Sequence, residues 1–510
     1  MTEPTAMLEL LERGAADAPA FGVPGGASPM RYRDLVALAH RTVESLNAAG
    51  IGREDRVAIV LPNGPEAASA FACIAAGAAT APLNPGYHAG EFEFYLTDLK
   101  AKALVVEVGI DSPARIAARK LSLPIVELEP HRERGAGTFT LRFLEPPRGT
   151  VSRGGFAEAG DTALLLHTSG TTSRPKLVPL LQRSVLASAR HIAETLALGP
   201  ADVCLNIMPL FHIHGLMAAT LASLYAGAQV CCSTGFNALR FFAWVDEVRP
   251  TWYTAVPTMH QAILARADRH RDVVARTHLR FLRSSSASLP APVMLELERT
   301  FRAPVIEAYG MTEAAHQMAS NPLPPRPRLP GSVGCAAGPE VAIMDQAGDL
   351  LPPGQNGEVV IRGPNVMAGY EGNPEANAKA FTRGWFRTGD QGVVEQDGYL
   401  RLTGRLKELI NRGGEKFSPL EVDQVLMEHP AVQQVVTFAM PHPMLGEEVA
   451  AAVVLRDGVR VSDHDLKEFA AARVAHFKVP RKILIVPEIP KGPTGKLQRI
   501  GLAAKLGLAP

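Results

Sequence analysis

The chain has 510 residues, of which 46% are hydrophobic, and its formal net charge is +1 at pH 7. It is too long for one compact hydrophobic core, so we expect at least two domains. The balanced charge and the aromatic content of 6% argue against nucleic acid or an anionic membrane surface as a partner.

The first two-thirds of the sequence alternates between predicted strands and predicted helices. Strands are predicted at 57–61, 104–108, 163–167, 252–256, 281–283 and 305–309. Helices are predicted at 35–46, 65–76, 182–196 and 290–301. This alternation is typical of βαβ units with largely parallel sheets, in which ligands bind at the carboxyl ends of the strands.

A different organisation is predicted for the last third. The proline-rich segment 321–331 cannot be helical, and the short strands predicted after it, at 357–363 and 398–403, indicate a small β-rich subdomain. The segment after residue 408 is predicted to contain helices at 419–428 and 463–472 and strands at 432–438 and 449–455. We therefore expect an α/β protein with a large N-terminal domain (1–404), a hinge (405–407) and a small mobile α+β C-terminal cap domain (408–510).

Cysteine usage and the N-terminus indicate a cytoplasmic protein. The five cysteines have no CxxC or zinc-like spacing, which is typical of reduced thiols; they are Cys73, Cys204, Cys231, Cys232 and Cys335. The acidic N-terminus does not have the pattern of an ordinary secretory signal. The most apolar window, 216–232, is interrupted by polar residues and glycine, which predicts a buried helix and strand rather than a membrane span.

A loop rich in hydroxyl groups follows the strand predicted at 163–167. It reads Thr168-Ser169-Gly170-Thr171-Thr172-Ser173-Arg174-Pro175-Lys176. Backbone amides, hydroxyls and the Lys176 charge suit the binding of polyphosphate oxygens, with Arg174 as a second candidate cation. The loop does not have the GxxxxGK[ST] pattern of P-loop proteins, and a polar surface turn is the alternative interpretation.

The segment TSGTTSRPK resembles the phosphate-loop signature of the adenylate-forming superfamily, which includes acyl-CoA synthetases, carrier-protein-loading adenylation domains and firefly luciferase. Ser173 and Leu177 stand where the usual motif has glycine. The resemblance implies ATP, Mg²⁺ and coenzyme A as ligands of this chain. It also implies that Thr168, Ser169, Gly170, Thr171, Thr172 and Lys176 bind ATP.

The segment 307–313, EAYGMTE, places a ring, a hydroxyl and a carboxylate after a predicted strand. A flat ring suits adenine, and Mg²⁺ prefers hard oxygen ligands; a helix N-terminus with Thr312 as its cap is a compatible structural interpretation. The resemblance implies that Tyr309 stacks on adenine, that Thr312 contacts the α-phosphate and that Glu313 binds Mg²⁺. It implies further ATP-binding residues, namely Ser286, Ala287, Ser288, Glu307, Ala308 and Gly310, and it makes Asp390 and Arg405 ribose contacts.

Residues near and beyond the predicted domain boundary have roles implied by the same resemblance. A lysine on a Gly/Pro loop, such as Lys496, is usually a solvated surface charge. In the family, the lysine at this position bridges the attacking carboxylate and the α-phosphate, which makes Lys496 the catalytic residue of adenylation. Lys407 corresponds to the hinge residue, and Gly413, Gly414 and Glu415 to the turn that approaches the pantetheine arm of coenzyme A.

The segment PLFHIHGL contains two histidines, but the absence of a nearby cysteine or carboxylate cluster argues against a zinc site. The resemblance implies that His212 gates the thiol tunnel. His214 and His316 would place hydrogen-bond donors, with Ser288 nearby, around the tail of the acid, which favours a short polar acid with a second charge.

The strings HTSGTTSRPK, PLFHIHGL, WYTAVPTMHQ, SSSASL, EAYGMTEAAH and ELINRGGEKFSPLEVD together resemble oxalate–CoA ligases. The resemblance implies oxalate as the acid, with coenzyme A as the acyl acceptor. Several alternatives stay open: a malonate, medium-chain fatty or aryl acid, a stand-alone enzyme that loads a carrier protein, and a non-catalytic nucleotide-binding protein. A homodimer is compatible with the sequence.

Overall fold

The structure is a computed structural model that describes residues 3–145, 150–168, 175–492 and 495–509. Four of the predicted ATP-binding residues, Ser169, Gly170, Thr171 and Thr172, lie outside the described residues, as does Arg174. The mixed α/β fold, with a large N-terminal part and a smaller C-terminal part, is confirmed.

The first large sheet, here the N-terminal sheet, is parallel at its centre and antiparallel at both edges. Its parallel centre is formed by strands separated by helices, as the alternating pattern predicts. In spatial order its strands are Phe139–Phe143, Ile125–Pro130, Ala103–Glu107, Arg56–Val60, Ala79–Pro82, Thr162–Thr168 and Lys176–Leu181.

The second large sheet, here the central sheet, is also parallel through its middle strands. The carboxyl ends of neighbouring parallel strands therefore meet at one edge, where ligand sites form in such folds. In spatial order its strands are Cys335–Ala336, His316–Ser320, Val305–Met311, Phe281–Ser285, Trp252–Ala255, Val203–Asn206, Gln229–Cys232, Pro19–Gly22 and Met30–Arg31.

Helices pack against the two sheets, and several of them bury one apolar face. In Tyr32–Ala48, for example, the buried residues include Leu35, Leu38 and Leu46, at the spacing of one helix face. A single apolar cluster contains residues of both large sheets, so the sheets share one core. The α-helices are Met7–Leu11, Tyr32–Ala48, Pro65–Ala75, Ala89–Asp98, Pro113–Lys120, Gln182–Thr195, Ala222–Tyr225, Phe241–Val248, Pro257–Ala267, Arg271–Arg276, Ala291–Phe301, Pro374–Ala380, Pro419–Met427, Asp463–Ala471 and Leu502–Lys505.

The last third of the chain forms two smaller sheets. The first, here the subdomain sheet, is antiparallel, and its strands are Leu350–Leu351, Glu340–Met344, Asn356–Arg362, Trp385–Val394, Phe381–Thr382 and Leu400–Arg405. The second belongs to the C-terminal part, here the cap, and its strands are Glu415–Phe417, Ile410–Arg412, Gly446–Leu455, Val432–His442 and Lys482–Ile485. The predicted β-rich subdomain and the predicted α+β segment are therefore both present.

One local prediction is wrong. Thr312 does not cap an α-helix: Thr312–Ala314 is a single 3₁₀ turn preceded by Met311, with no capping hydrogen bond from a side chain. The chain then reverses into His316–Ser320, which pairs antiparallel with Val305–Met311. The sequence after Glu313 lacks the apolar repeat that a longer helix would need, and the strand pairing prevails.

The predicted buried helix and strand at 216–232 are present, with a π-helical segment His214–Leu221 followed by Ala222–Tyr225 and Gln229–Cys232. Such π-helical segments are frequent at functional sites. Across the described ranges, no helix combines the length and the apolar character needed to cross a membrane. The five cysteines are free thiols, and all except Cys335 are buried.

Candidate active site

Two predicted nucleotide-binding residues, Tyr309 and Arg405, contact the buried carboxylate of a third, Asp390. The Tyr309 hydroxyl donates to Asp390 Oδ2 at 2.5 Å, and Arg405 Nε donates to Asp390 Oδ1 at 2.7 Å. Tyr309 lies near the end of the strand Val305–Met311 in the central sheet, whereas Asp390 and Arg405 face each other in the subdomain sheet. Asp390 is 5% exposed, so its charge is compensated by the guanidinium and the phenol rather than by water.

A second group surrounds Glu313. The Tyr370 hydroxyl donates to Glu313 Oε1 at 2.9 Å, and Lys176 Nζ lies 4.3 Å from the centre of the Tyr370 ring. Burial raises the pKa of Glu313, while Tyr370, Lys176 and Arg405 act in the opposite direction. Burial, followed by the charge of Lys407, lowers the pKa of Lys176, and Glu313 opposes that shift. The phosphate-loop lysine, the predicted metal ligand and the predicted hinge lysine are therefore close enough to interact.

The two ends of the predicted phosphate loop are adjacent. Thr168 and Lys176 pair with each other across antiparallel strands of the N-terminal sheet. A polyphosphate held by Lys176 would therefore lie near Thr168 as well. Thr312, which precedes Glu313 in the same 3₁₀ turn, is partly exposed.

The residues present fit a magnesium ion held mainly by a nucleotide. Glu313 offers one hard carboxylate, and its neighbouring cations are suited to phosphate oxygens. In the part of the chain that the structure describes, no group of three or more His, Cys, Asp or Glu residues could hold an ion by itself. A metal at this position would thus need phosphate or water for its other ligands.

The predicted catalytic lysine enters this region from the cap. Burial, followed by the charge of Arg405, lowers the pKa of Lys496 to about 8, and Asp390 opposes the shift. The loop carrying it is attached to the large part of the molecule, because Thr258 Oγ1 donates to the carbonyl oxygen of Gly495 at 2.8 Å. Lys496 therefore lies near Arg405 and Asp390, two of the predicted nucleotide-binding residues.

The contact between the cap and the large part encloses a cavity of about 550 Å³. Residues of both parts line it, including Ser288, Glu307 and Lys496. Gln261 Nε2 donates to the Gln433 carbonyl oxygen at 2.9 Å and adds a second polar link across this contact. The cleft between the two parts is thus large enough for part of a nucleotide.

The predicted adenine side is formed by two neighbouring strand ends. Glu307 Oε1 accepts from the Leu289 amide at 2.9 Å, and burial raises the pKa of Glu307 to about 8. Ser286 has a positive φ of 76°, which directs the following residues, the exposed Ala287 and Ser288, away from the strand. The Ala308 carbonyl oxygen accepts from Ser285 Oγ at 2.8 Å, which ties the two strand ends together.

His212 lies near Lys496, since burial and then the Lys496 charge lower the pKa of His212 to about 3. Its Nδ1 accepts from the backbone amide of His214 at 3.3 Å, which fixes the ring at the start of the π-helical segment. The neutral ring carries no charge, and because its Nδ1 accepts from the His214 amide, its proton is on Nε2, which can donate a hydrogen bond.

The predicted acid-binding histidines are stacked in the interior. The rings of His214 and His316 are 5.0 Å apart, and the two residues are 0% and 1% exposed. Burial lowers the pKa of both well below the usual range, so both rings are neutral. Among the described residues, His316 Nε2 has no hydrogen-bond partner. A buried polar atom without a partner is costly and suits a ligand that would supply one.

The backbone around His316 is constrained. Its φ is 104°, and a side chain at Gly310 would place Cβ 1.9 Å from the His316 carbonyl oxygen. Only glycine, which has no side chain, allows the two strands to approach this closely at position 310. A strained histidine held in this way is typical of a functional site.

Sequence reasoning missed Arg283, which lies behind the histidines. The residue is 0% exposed; its Nη2 donates to Gln317 Oε1 at 3.2 Å, and its Nη1 lies 3.4 Å from His214 Nε2. Burial lowers the pKa of Arg283 to about 9. A charged residue inside the apolar strand Phe281–Ser285 was the signal that could have identified it.

The predicted coenzyme A turn is not brought to the nucleotide site. Gly413 and Gly414 form an exposed turn in the cap between Ile410–Arg412 and Glu415–Phe417. The Gly413 amide donates to the Leu445 carbonyl oxygen at 3.0 Å, also in the cap. Lys407, Glu415 and both glycines are exposed, whereas Lys496 is among the cap residues that line the cleft.

Comparisons with known proteins agree with this arrangement. The family described as AMP-binding enzyme matches residues 11–371, and its C-terminal domain matches 421–496. The chain is 44% identical to an oxalate–CoA ligase of Arabidopsis thaliana, covering 97% of this chain and 96% of that protein. It is 40% identical to an oxalate–CoA ligase of Saccharomyces cerevisiae, with coverage of 95% and 94%.

The fold also matches a solved structure that contains the nucleotide. The crystal structure of ATP-bound MatB from Rhodopseudomonas palustris superimposes with a TM-score of 0.84 at 28% identity, covering 97% of each chain. Two family domains match this chain, and its similarity to CoA ligases extends over nearly its full length. The cleft between the large part and the cap is consistent with both findings. This chain belongs to the AMP-binding enzyme family and is an AMP-forming acid–CoA ligase.

Proposed function

We propose that the acid activated by this ligase is oxalate. The observation that supports it is the buried pair His214 and His316, in which His316 Nε2 has no protein partner among the described residues, with Arg283 behind it. These groups offer polar contacts to a second carboxylate, whose burial without partners would be costly. A fatty or aryl tail would need an apolar lining instead. The Arabidopsis and yeast relatives are oxalate–CoA ligases by name.

In the first half-reaction, an oxalate oxygen attacks the α-phosphorus of ATP, the bond to the β-phosphate oxygen breaks, and pyrophosphate leaves. Tyr309 would stack on adenine, and Asp390 and Arg405 would hold the ribose. The Asp390 oxygens have lone pairs beyond those used by Tyr309 and Arg405 and can accept from ribose hydroxyls. Lys496, whose pKa is affected by both Arg405 and Asp390, would stabilise the charge that develops between the two reacting anions.

The phosphates would be bound by Lys176, by Thr312 and by the loop 168–172. Glu313 would hold Mg²⁺, which neutralises phosphate charge and favours departure of pyrophosphate. Tyr370 keeps the Glu313 carboxylate oriented through its 2.9 Å hydrogen bond. The glutamate stays available to a cation because the phenol and the Lys176 charge oppose the effect of burial on its pKa.

In the second half-reaction, the thiol of coenzyme A attacks the acyl carbon, AMP leaves, and one proton is released. We assign the domain boundary to residues 404/405 and the hinge to Lys407, which is exposed and two residues beyond Arg405. A rotation there would withdraw Lys496 and bring Gly413, Gly414 and Glu415 to the cleft. The exposed glycine turn could then lie against the pantetheine arm, and His212 would border the thiol path.

An acid panel tests this proposal. Pyrophosphate release is measured with oxalate, malonate, octanoate and 4-coumarate, each with and without coenzyme A. We expect oxalate to give the highest kcat/KM and an oxalyl-CoA product when coenzyme A is present. A higher kcat/KM with octanoate or 4-coumarate would contradict the polar acid pocket, and adenylate formation without transfer to coenzyme A would indicate a carrier-protein-loading enzyme.

A further inference from the structure

We propose that Arg283 is a positioning residue that fixes the hydrogen-bond direction through His214 to Ser286, so that Ser286 donates to the second carboxylate of a dianionic acid. The inference rests on the proposed function, because it concerns the same acid pocket. Arg283 would act from behind the acid pocket and would favour substrates that carry a second negative charge.

Arg283 is a buried cation without a protein counterion. In the described ranges, no carboxylate pairs with its guanidinium, and the remaining residues include no Asp or Glu. Its Nε is also buried without a hydrogen-bond partner among the described residues. An uncompensated buried charge is unfavourable unless a ligand compensates for it. A second negative charge on the acid would do so.

The position of Arg283 determines which His214 nitrogen carries the proton. A guanidinium only donates, so Arg283 Nη1, at 3.4 Å, favours an unprotonated His214 Nε2 whose lone pair it shares with the closer Thr254 hydroxyl. Thr254 Oγ1, at 2.6 Å from the same nitrogen, then donates its hydroxyl proton to Nε2. Arg283 Nη1 also lies 3.5 Å from Thr254 Oγ1, where the hydroxyl oxygen can accept. Because the ring is neutral, the proton must be on Nδ1.

The consequence appears at Ser286. His214 Nδ1 lies 3.0 Å from Ser286 Oγ and donates to it. With its oxygen accepting from the ring, the Ser286 hydroxyl is free to donate its own proton to a ligand. Ser286 is partly exposed at the strand end, has a φ of 76°, and directly precedes Ala287 and Ser288, which line the cleft. The contacts from Arg283 through His214 to Ser286, here called the relay, thus present the Ser286 hydroxyl as a donor to an anionic group. The positive charge of Arg283 supports this donor.

The test compares oxalate with oxamate, its isostere with a neutral amide. Adenylation kcat/KM is measured for oxalate, and Ki is measured for oxamate as a competitor, in the wild type and in Arg283→Met. Since a hydrogen bond to a charged group is worth about 1.5–3 kcal/mol, we expect the oxalate kcat/KM to fall about 10- to 100-fold. The oxamate Ki should change less than about 3-fold. Arg283→Lys should recover part of the oxalate activity, and Arg299→Met, an exposed arginine, should have no effect.

Equal losses for oxalate and oxamate would overturn the proposal, since they would indicate a structural role only. If Arg283→Met does not fold, as judged by thermal unfolding, Ser286→Ala carries the test, because it removes the donor at a partly exposed site. Ser286→Ala should lower the oxalate kcat/KM by a larger factor than it raises the oxamate Ki. In the double variant, Arg283→Met with Ser286→Ala, the loss of oxalate kcat/KM should not exceed the larger of the two single-variant losses, because both residues act through one contact. Additive losses would contradict the relay.

Failure of the oxalate assignment gives a different result. If the wild type adenylates malonate rather than oxalate, the same comparison with malonate and its monoamide still tests Arg283. If the wild type prefers acids with a single carboxylate, both the relay's selectivity and the proposed acid are wrong.

Discussion

Arg405 faces Asp390 across the antiparallel strands Trp385–Val394 and Leu400–Arg405, and its Nε donates to the aspartate at 2.7 Å. The other aspartate oxygen accepts from Tyr309, which is 81 residues away in sequence. The pair therefore joins the subdomain sheet to the central sheet at the proposed nucleotide site. Because Arg405 is also at the assigned domain boundary, the same contact links the site to the segment about which the cap would rotate.

Asp390→Asn should weaken ATP binding. The substitution keeps the shape of the side chain but removes the charge that pairs with Arg405 and that we propose accepts from ribose. Since hydrogen bonds to charged groups contribute about 1.5–3 kcal/mol, we expect the KM for ATP to rise about 10- to 100-fold. Measurement of adenylation rates against ATP concentration checks this. Asp457→Asn, at an exposed turn of the cap, is the matched control, and an unchanged KM in both variants would refute the role of Asp390.

Lys496→Ala should abolish adenylate formation and leave thioester formation from preformed adenylate largely intact. The reason is that the lysine is at the cleft in this structure, whereas the exposed glycine turn would replace it for the second half-reaction. The two half-reactions are measured separately by pyrophosphate release and by thioester yield. Lys491→Ala, an exposed lysine that pairs with Glu488 on the same loop, should affect neither. Equal loss of both half-reactions would contradict the alternation.

The pH dependence of adenylation should reflect Lys496. Burial and Arg405 lower its pKa to about 8, so the ammonium is fully present well below pH 8 and is lost as the pH rises through that value. The kcat/KM for adenylation reports the free enzyme and should therefore fall about tenfold per pH unit above pH 8. Thioester formation from preformed adenylate should lack this dependence. Parallel profiles for both half-reactions would argue against Lys496 as their origin.

Tyr370→Phe should raise the Mg²⁺ concentration needed for adenylation. The phenol donates to Glu313 and lowers its pKa against the effect of burial, so its loss makes the carboxylate easier to protonate and less well oriented. We expect the half-saturating Mg²⁺ concentration to rise about 3- to 10-fold, as for loss of one ordinary hydrogen bond. Tyr399→Phe removes a hydroxyl that donates to the Pro327 carbonyl and serves as the control. An unchanged Mg²⁺ dependence in Tyr370→Phe would show that Tyr370 does not support Mg²⁺ binding by Glu313.

Much of the fold could be predicted because local patterns determine it. The helix Pro65–Ala75 begins at a proline and is followed by small residues and glycine, and the strand Ala103–Glu107 is a short aliphatic run between turns. The turn at Thr312–Ala314 was mispredicted because its structure depends on the pairing of His316–Ser320 with a distant strand. Such non-local pairing outweighs a capping pattern of three residues.

Sequence reasoning identified candidate site residues where a short segment carries several polar groups, as at 307–313 and 168–176. Arg283, Tyr370, Thr254 and Gln317 were missed because each contributes one side chain whose role depends on a distant partner. Tyr370, for example, reaches Glu313 across 57 residues, and Arg283 reaches His214 across 69. No local pattern indicates contacts of that kind.

The most direct test of the central claim follows oxygen from the acid to the nucleotide. Oxalate labelled with ¹⁸O is incubated with the enzyme, ATP, Mg²⁺ and coenzyme A, and AMP is analysed by mass spectrometry. If an oxalate oxygen attacks the α-phosphorus, each AMP gains one ¹⁸O, in equal amount to oxalyl-CoA, and pyrophosphate stays unlabelled. Unlabelled AMP, or ADP with labelled phosphate, would contradict activation through an acyl-adenylate.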